Sequence, residues 1–387
     1  MNRGASYQLP DLPSLVRDFE LHTNPHCHAI SVSGPGKLVG DGRDEACRRG
    51  MKAALLASLC FPTCDAPQLR LLADLLSALI CIQVRLIGAP DMAQCGWTSS
   101  ELEAEAASGS WELLAQNTLL RQLIPQVQRL ASRATADWST RMEKASYAFH
   151  AAHLRLVTQS LPPDSIEACV ALHTDASGFP IIFLLAEVIK ELQLPPNVQL
   201  LEQLADSALK IIVGSLELVS YNLHASMKSS ANAVAVVMSV REISLQGALK
   251  VCMSECRKNV ETYRTVERAI LVGLSGELPP PPPMPQRRPK ALSGHTRASS
   301  SIWSWVPFMS AQEAAAPTVP EPAVLAPVLE VEDWDDEVRD DVRSYVNGLR
   351  DCVVGYIHWL YETEIYFGQL GDEVRATGWT FLPVVAS

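Results

Sequence analysis

Positive charge is scarce in this 387-residue sequence: 32 lysines and arginines stand against 43 aspartates and glutamates, for a formal net charge of -11. That balance excludes a nucleic-acid partner, which needs a basic stripe to displace counterions from phosphates. Framework cysteine spacing is also missing. The ten cysteines are scattered, and no CxxC pair feeds a second pair at finger-like distance. Cys60 with Cys64 and Cys252 with Cys256, weighed together with His22, His26 and His28, therefore read as buried thiols and a hydrogen-bonded histidine cluster rather than a zinc site. Met1 to Leu9 has neither an apolar core nor a cleavage signal, so reduced thiols in a cytoplasmic protein are expected. Long apolar runs are absent too. Leu75 to Val84, broken by Ser77 and Gln83, is half of the about 20 residues that a bilayer span requires. It reads as a helix buried on all sides, and no membrane span is expected.

What is present is apolar bulk, 48% of residues with 19% charged, enough for a large core. Residues 1–277 show one helical segment after another. Asp65 with Pro67 and Gln68 is an N-terminal capping pattern before an apolar helix over Leu69 to Ile87. Phe183 to Leu194 has helical spacing and stops before Pro195. Val198 to Ser230 is a longer helix, and Ser244 can cap another reaching Leu271. The composition then changes. Residues 278–330 carry an unbroken proline run, Pro279 to Pro283, then a Ser-rich patch and an Ala/Pro-rich stretch. Such a segment buries too little surface to offset its ordering entropy and is expected to be a disordered or polyproline-like insert. Its apolar island (Trp303, Trp305, Val306, Phe308) is a candidate protein-docking element, with docking on the chain's own body as the simpler reading. Residues 331–387 complete the helical body with a helix from Asp333 to Phe367 and an extended tail over Thr380 to Val385.

Four phrases carry a resemblance. Asn24-Pro25-His26 comes first. Cys60-Phe61-Pro62 leads through Gln68-Leu69-Arg70 to Asp74. Ser220-Tyr221-Asn222 and Glu362-Thr363-Glu364-Ile365-Tyr366-Phe367-Gly368 follow. In order and spacing the chain resembles the class I terpene synthases, specifically the fungal sesquiterpene synthases, everywhere outside 278–330. The resemblance implies an all-α helical bundle that expels diphosphate from a prenyl substrate and cyclises the allylic cation. In that family three magnesium ions, held by two facing acidic motifs, draw off the leaving group together with arginine.

The residues at those places depart from the family pattern. The first motif, an Asp-Asp-x-x-Asp, falls on Gln83, Val84 and Ile87. The second sets Asn, Ser and Glu at i, i+4 and i+8 on one helix face; here they are Leu216, Ser220 and His224. Glu217 falls at an acidic position that the resemblance turns away from the metal. The diphosphate-sensing arginine, expected a turn before Ser177-Gly178, has only His173, Thr174 and Asp175 in its neighbourhood. The arginine of the C-terminal Arg-Tyr pair is Ile365, beside a retained Tyr366. Magnesium, which takes hard oxygen ligands, lacks them here, and no metal or other cofactor is expected. Asp333-Trp334-Asp335-Asp336 spells the acid motif of class II cyclases but sits at a helix start, where the dipole alone favours carboxylates. Three readings follow: a terpene-synthase-like protein without magnesium-dependent ionisation, with an isoprenoid diphosphate as its ligand; an active sesquiterpene synthase; and a helical adaptor acting through 278–330.

Overall fold

Asp65 and Gln68 cap the apolar helix reciprocally. The Gln68 N–H donates to Asp65 Oδ1 at 2.8 Å, and the Asp65 N–H donates to Gln68 Oε1 at 3.1 Å. Two donors left open by the first turn are thereby satisfied. The computed structural model describes residues 6–33, 50–88, 91–98, 110–158, 165–275, 329, 331 and 333–382. Among them lie α1 (Cys27–Val32), α2 (Ala53–Cys60), α3 (Ala66–Gly88), α4 (Ser110–Ala115), α5 (Ile124–Ala131), α6 (Ala136–Thr158) and α7 (Ile166–Ser177). The order continues with α8 (Phe179–Ile189), α9 (Gln199–Ser226), α10 (Ala233–Arg241), α11 (Leu245–Ser275), α12 (Asp336–Glu362), α13 (Glu364–Phe367) and α14 (Gly371–Thr377). One antiparallel pair, β1 (Ser6–Gln8) with β2 (Trp379–Phe381), ties the tail to the N-terminal segment, with Tyr7 opposite Thr380. The fold is an all-α bundle.

Helices α9 and α11 pack along their length, and α12 lies against α2. Gly355 permits that second crossing: a Cβ there would come 2.6 Å from the Leu59 carbonyl carbon. Beside it Trp359, fully buried, donates its indole N–H to the Met51 carbonyl at 2.9 Å. One apolar core joins α3, α9 and α12 through residues such as Leu76, Ile212 and Val353. Between α7 and α8 the chain bends by 48° at Gly178, whose φ of +71° suits glycine and whose missing Cβ makes room for Leu79.

Some boundaries differ from the sequence expectations. The apolar helix runs Ala66–Gly88, long and apolar enough on length and hydropathy alone to cross a membrane. Apolar run length understates it, because helix-favouring Gln68, Arg70 and Arg85 extend it at both ends. Of its most apolar window, 72% is buried inside the fold, as a core helix would be. The segment expected over Phe183 to Leu194 starts earlier, with Pro180 in its first turn, and stops at Ile189. The last long helix ends at Glu362, since Thr363 turns to extended backbone before capping α13. Asp335 caps α12 by accepting from the Val338 N–H at 2.9 Å. The insert 278–330, its apolar island and the end of the tail beyond Leu382 lie outside the described residues, apart from Leu329, buried over Gly273.

Candidate functional site

The helices that resemble the two metal-motif helices, α3 and α9, face a cavity of about 260 Å³. Gln83 and Ile87 line it from α3; Glu217 and His224 line it from α9; His173 of α7 and the turn at Lys228 to Ala231 close it. Glutamine and isoleucine therefore stand on one wall and histidine on the other, where the resemblance puts carboxylates. Val84 is half-buried and packs on the core. Leu216 is buried in the apolar core, and Ser220 is buried beneath Asn232, whose amide lies 3.4 Å from its hydroxyl. Ile365, half-buried, also packs on the core. Tyr366 is buried, its carbonyl accepting from Asn222 Nδ2 at 2.6 Å and its ring edge-on to Trp359.

The donors on the cavity are unsuited to magnesium. A hard cation of this size takes near-octahedral oxygen ligands. Among the residues lining this cavity, Glu217 is the single carboxylate, and both of its oxygens are engaged. Oε1 lies 2.6 Å from His173 Nδ1, and Oε2 accepts the Ala233 N–H at 2.6 Å. Glu217 thus faces inward toward α7, where the resemblance would turn it away from the metal. The neighbouring carbonyl of Glu217 is held by Asn232 Nδ2 at 2.9 Å, and Asn232 also caps α10 through the Val234 N–H at 2.9 Å. One asparagine consequently fixes α9 against the start of α10.

Charge at this point is an ion pair. Burial opposes protonation of His173, yet the Glu217 carboxylate holds its pKa well above the ordinary imidazole value. Burial alone would raise Glu217; the His173 charge, then His224 and the Ala233 N–H, keep it below the usual carboxylate range. His224 differs: burial pushes it down to about 4, the charge on His173 adding and Glu217 opposing. It is a neutral imidazole near neutral pH, 3.3 Å from the Ser229 hydroxyl through Nδ1.

Sequence reasoning finds Cys252 with Cys256 and misses the cluster that the fold assembles. Cys169 Sγ lies 3.9 Å from His173 Nδ1. Cys169, His173 and Glu217 are all buried, with one ligand-type atom from each inside a 4.8 Å sphere of mutual distance. The Cys-x-x-x-His spacing on α7 is the one signal that could have pointed there, since i and i+4 share a helix face. Of the histidines singled out earlier, His22 pairs with Asp351 at 3.1 Å, while His26 and His28 are exposed.

Comparisons with known proteins bear on the fold that carries this cavity. The profile for terpene synthase family 2, C-terminal metal binding, matches residues 98–262, a span that takes in α9 but not Gln83 to Ile87. Sesquiterpene synthase Agr1 of Cyclocybe aegerita is 24% identical over 95% of this chain and 91% of its own length. Sesquiterpene synthase 3 of Postia placenta is 24% identical over 96% of this chain and 88% of its own. Germacradien-4-ol synthase from Streptomyces citricolor superposes with a TM-score of 0.57 at 17% identity, covering 88% of this chain and 96% of that one. Hedycaryol synthase in complex with HEPES gives 0.61 at 15%, covering 91% and 98%. The bundle is the class I terpene synthase fold. By sequence the chain is similar to the terpene synthase family over residues 98–262 and to fungal sesquiterpene synthases over most of its length.

Proposed function

We propose that this chain is a sesquiterpene-synthase-like protein that does not carry out magnesium-dependent ionisation of farnesyl diphosphate. The observation that carries this reading is the cavity wall: Gln83 and Ile87 face Glu217 and His224 across it, and the one carboxylate is already committed to His173 and Ala233. A buried dication without anionic ligands is strongly disfavoured, each missing charge costing several kcal/mol. The cavity's size points the same way. At about 260 Å³ it falls below the roughly 300–1,000 Å³ of pockets that enclose drug-sized ligands. Binding of an isoprenoid diphosphate without turnover would require this cavity to widen beyond its present volume. The described cysteines are free thiols, which supports a cytoplasmic setting.

The full-length extent of the similarity to proteins named as sesquiterpene synthases favours the second reading, an active enzyme. Incubating the purified chain with farnesyl diphosphate and magnesium, then analysing volatile hydrocarbons and released diphosphate, separates the two. No product above the boiled control is expected. A cyclised hydrocarbon whose formation needs magnesium would overturn the reading.

A further inference from the structure

We propose that Cys169, His173 and Glu217 bind one zinc ion at the edge of the cavity, a site unlike the magnesium cluster of the family. Zinc binding here is independent of whether a prenyl diphosphate is turned over.

Three features carry it. The donor set is sulfur, imidazole and carboxylate, which suits a borderline-soft cation and not magnesium. Cys169 and His173 come from one face of α7 at i and i+4, and Glu217 from α9 closes the triangle, all within 4.8 Å. The required movement is small. Zinc bonds of about 2.0–2.1 Å to nitrogen or oxygen and about 2.3 Å to sulfur put tetrahedral ligands about 3.3 Å (N to O) and about 3.6 Å (S to N) apart. The present separations are 2.6 Å for His173 to Glu217 and 3.9 Å for Cys169 to His173. Each changes by less than the length of a bond.

Charge balance favours the exchange as well. Without metal the thiol keeps its proton, and His173 Nδ1 and Glu217 Oε1, 2.6 Å apart, share one between them. Zinc entering would displace the proton on Sγ and the shared proton, leaving thiolate, neutral imidazole, carboxylate and a dication. Both states sum to zero, so the buried site gains no net charge. The ligand carboxylate is also oriented from behind: Oε2 accepts the Ala233 N–H, and Asn232 holds the Glu217 carbonyl. His173 and Glu217 line the cavity, so a fourth position opens toward it for water or a small donor, as in zinc sites with three protein ligands.

The test uses the full chain stripped with a chelator and titrated with zinc, cobalt(II) and magnesium. Calorimetry in two buffers of different ionisation enthalpy should give one zinc per chain with release of about two protons. Cobalt should produce a thiolate-to-metal absorption band that Cys169→Ser abolishes and Cys64→Ser leaves intact. Glu217→Gln should weaken zinc by more than about tenfold, and excess magnesium should not compete. Far-ultraviolet dichroism checks that each variant is folded. Because Cys169→Ser could unfold, X-ray absorption on the wild-type zinc complex gives a second readout, with one sulfur and at least two nitrogen or oxygen neighbours expected. Absence of binding to the folded wild type, a zinc shell without sulfur, or a cobalt band unchanged in folded Cys169→Ser would each overturn the assignment.

Discussion

His153 offers a clean pH-dependent perturbation away from the cavity. It is fully buried on α6, its Nδ1 2.7 Å from the Phe149 carbonyl, and its Nε2 has no hydrogen-bond partner among the described residues. Burial, with the nearby His150 adding and the Phe149 carbonyl opposing, pushes its pKa down to about 4 from an ordinary 6.5. The folded state then binds fewer protons than the unfolded chain between those two values, so this histidine's contribution to stability is intact above the unfolded pKa and falls as pH falls. With RT of about 0.59 kcal/mol, the loss reaches about 2 kcal/mol by pH 5 and about 3.4 kcal/mol below both values. His153→Leu removes the titration and the unpartnered nitrogen at the cost of one hydrogen bond, so near pH 7.5 the variant should lie within about 1 kcal/mol of wild type. At about pH 5 it should be the more stable protein, gaining about 2 kcal/mol relative to its standing at pH 7.5. Urea denaturation at the two pH values, followed by far-ultraviolet dichroism, reads this directly, since the variant-minus-wild-type difference cancels every other titrating group. A difference that does not move with pH, or moves toward wild type on acidification, would refute the claim that His153 is held neutral by burial.

Other perturbations test neighbouring parts of the structure. Gly178→Ala combines a positive φ with a Cβ placed 2.6 Å from Leu79 Cδ2; a loss of about 2–3 kcal/mol is expected in urea denaturation. Arg141 makes two bonds, of 3.0 and 2.8 Å, to the buried Glu187 carboxylate. Arg141→Ala strands that carboxylate, and because the arginine itself is 40% exposed the expected loss is about 2 kcal/mol, below that of a fully buried pair. Installing Gln83→Asp, Val84→Asp, Ile87→Asp, Leu216→Asn, His224→Glu and Ile365→Arg together should give partial, magnesium-dependent release of diphosphate from farnesyl diphosphate; a folded, magnesium-binding variant that releases none would mean that ligand loss is not the defect. From composition, limited proteolysis should cut first within 278–330; cuts confined to other regions would reject that boundary.

How much of this was readable from sequence depends on whether the relevant partners were neighbours in the chain. The capping box at Asp65 and Gln68 and the cap at Asp335 join residues three apart, so residue type alone locates them. The α3 boundaries were less legible, because an apolar run measures burial while a helix extends through its charged flanks. The cavity pairing was invisible for a different reason. His173 and Glu217 are separated by 44 positions, and only the packing of α7 against α9 brings them together. A sequence reading could place Glu217 on the metal-motif helix but could not tell which way it turned. The cysteines show the converse error: the close pair Cys252 and Cys256 drew attention, whereas the thiol beside an imidazole is Cys169, which has no cysteine near it in sequence.

The positions that resemble the family and those that depart from it divide along a physical line. Asn24 donates to the carbonyls of Phe61 and Cys64 at 2.9 and 2.7 Å from a buried position. Gln68 completes the capping box and also donates to the Ile189 carbonyl at 3.0 Å. Asn222 joins the second motif helix to the C-terminal phrase through the Tyr366 carbonyl. Each satisfies buried backbone, and removing it would leave polar groups unpaired at about 1–3 kcal/mol apiece. Gln83, Ile87 and His224 line the cavity instead, where a side chain answers to a ligand and not to the bundle. Four phrases can therefore hold the same helices in the same order whatever side chains line the cavity between them. On this reasoning a recognisable terpene synthase motif in this chain is evidence about its hydrogen-bonded frame; the reaction must be read from the side chains that reach the cavity, and among these the single carboxylate, Glu217, is already paired with His173.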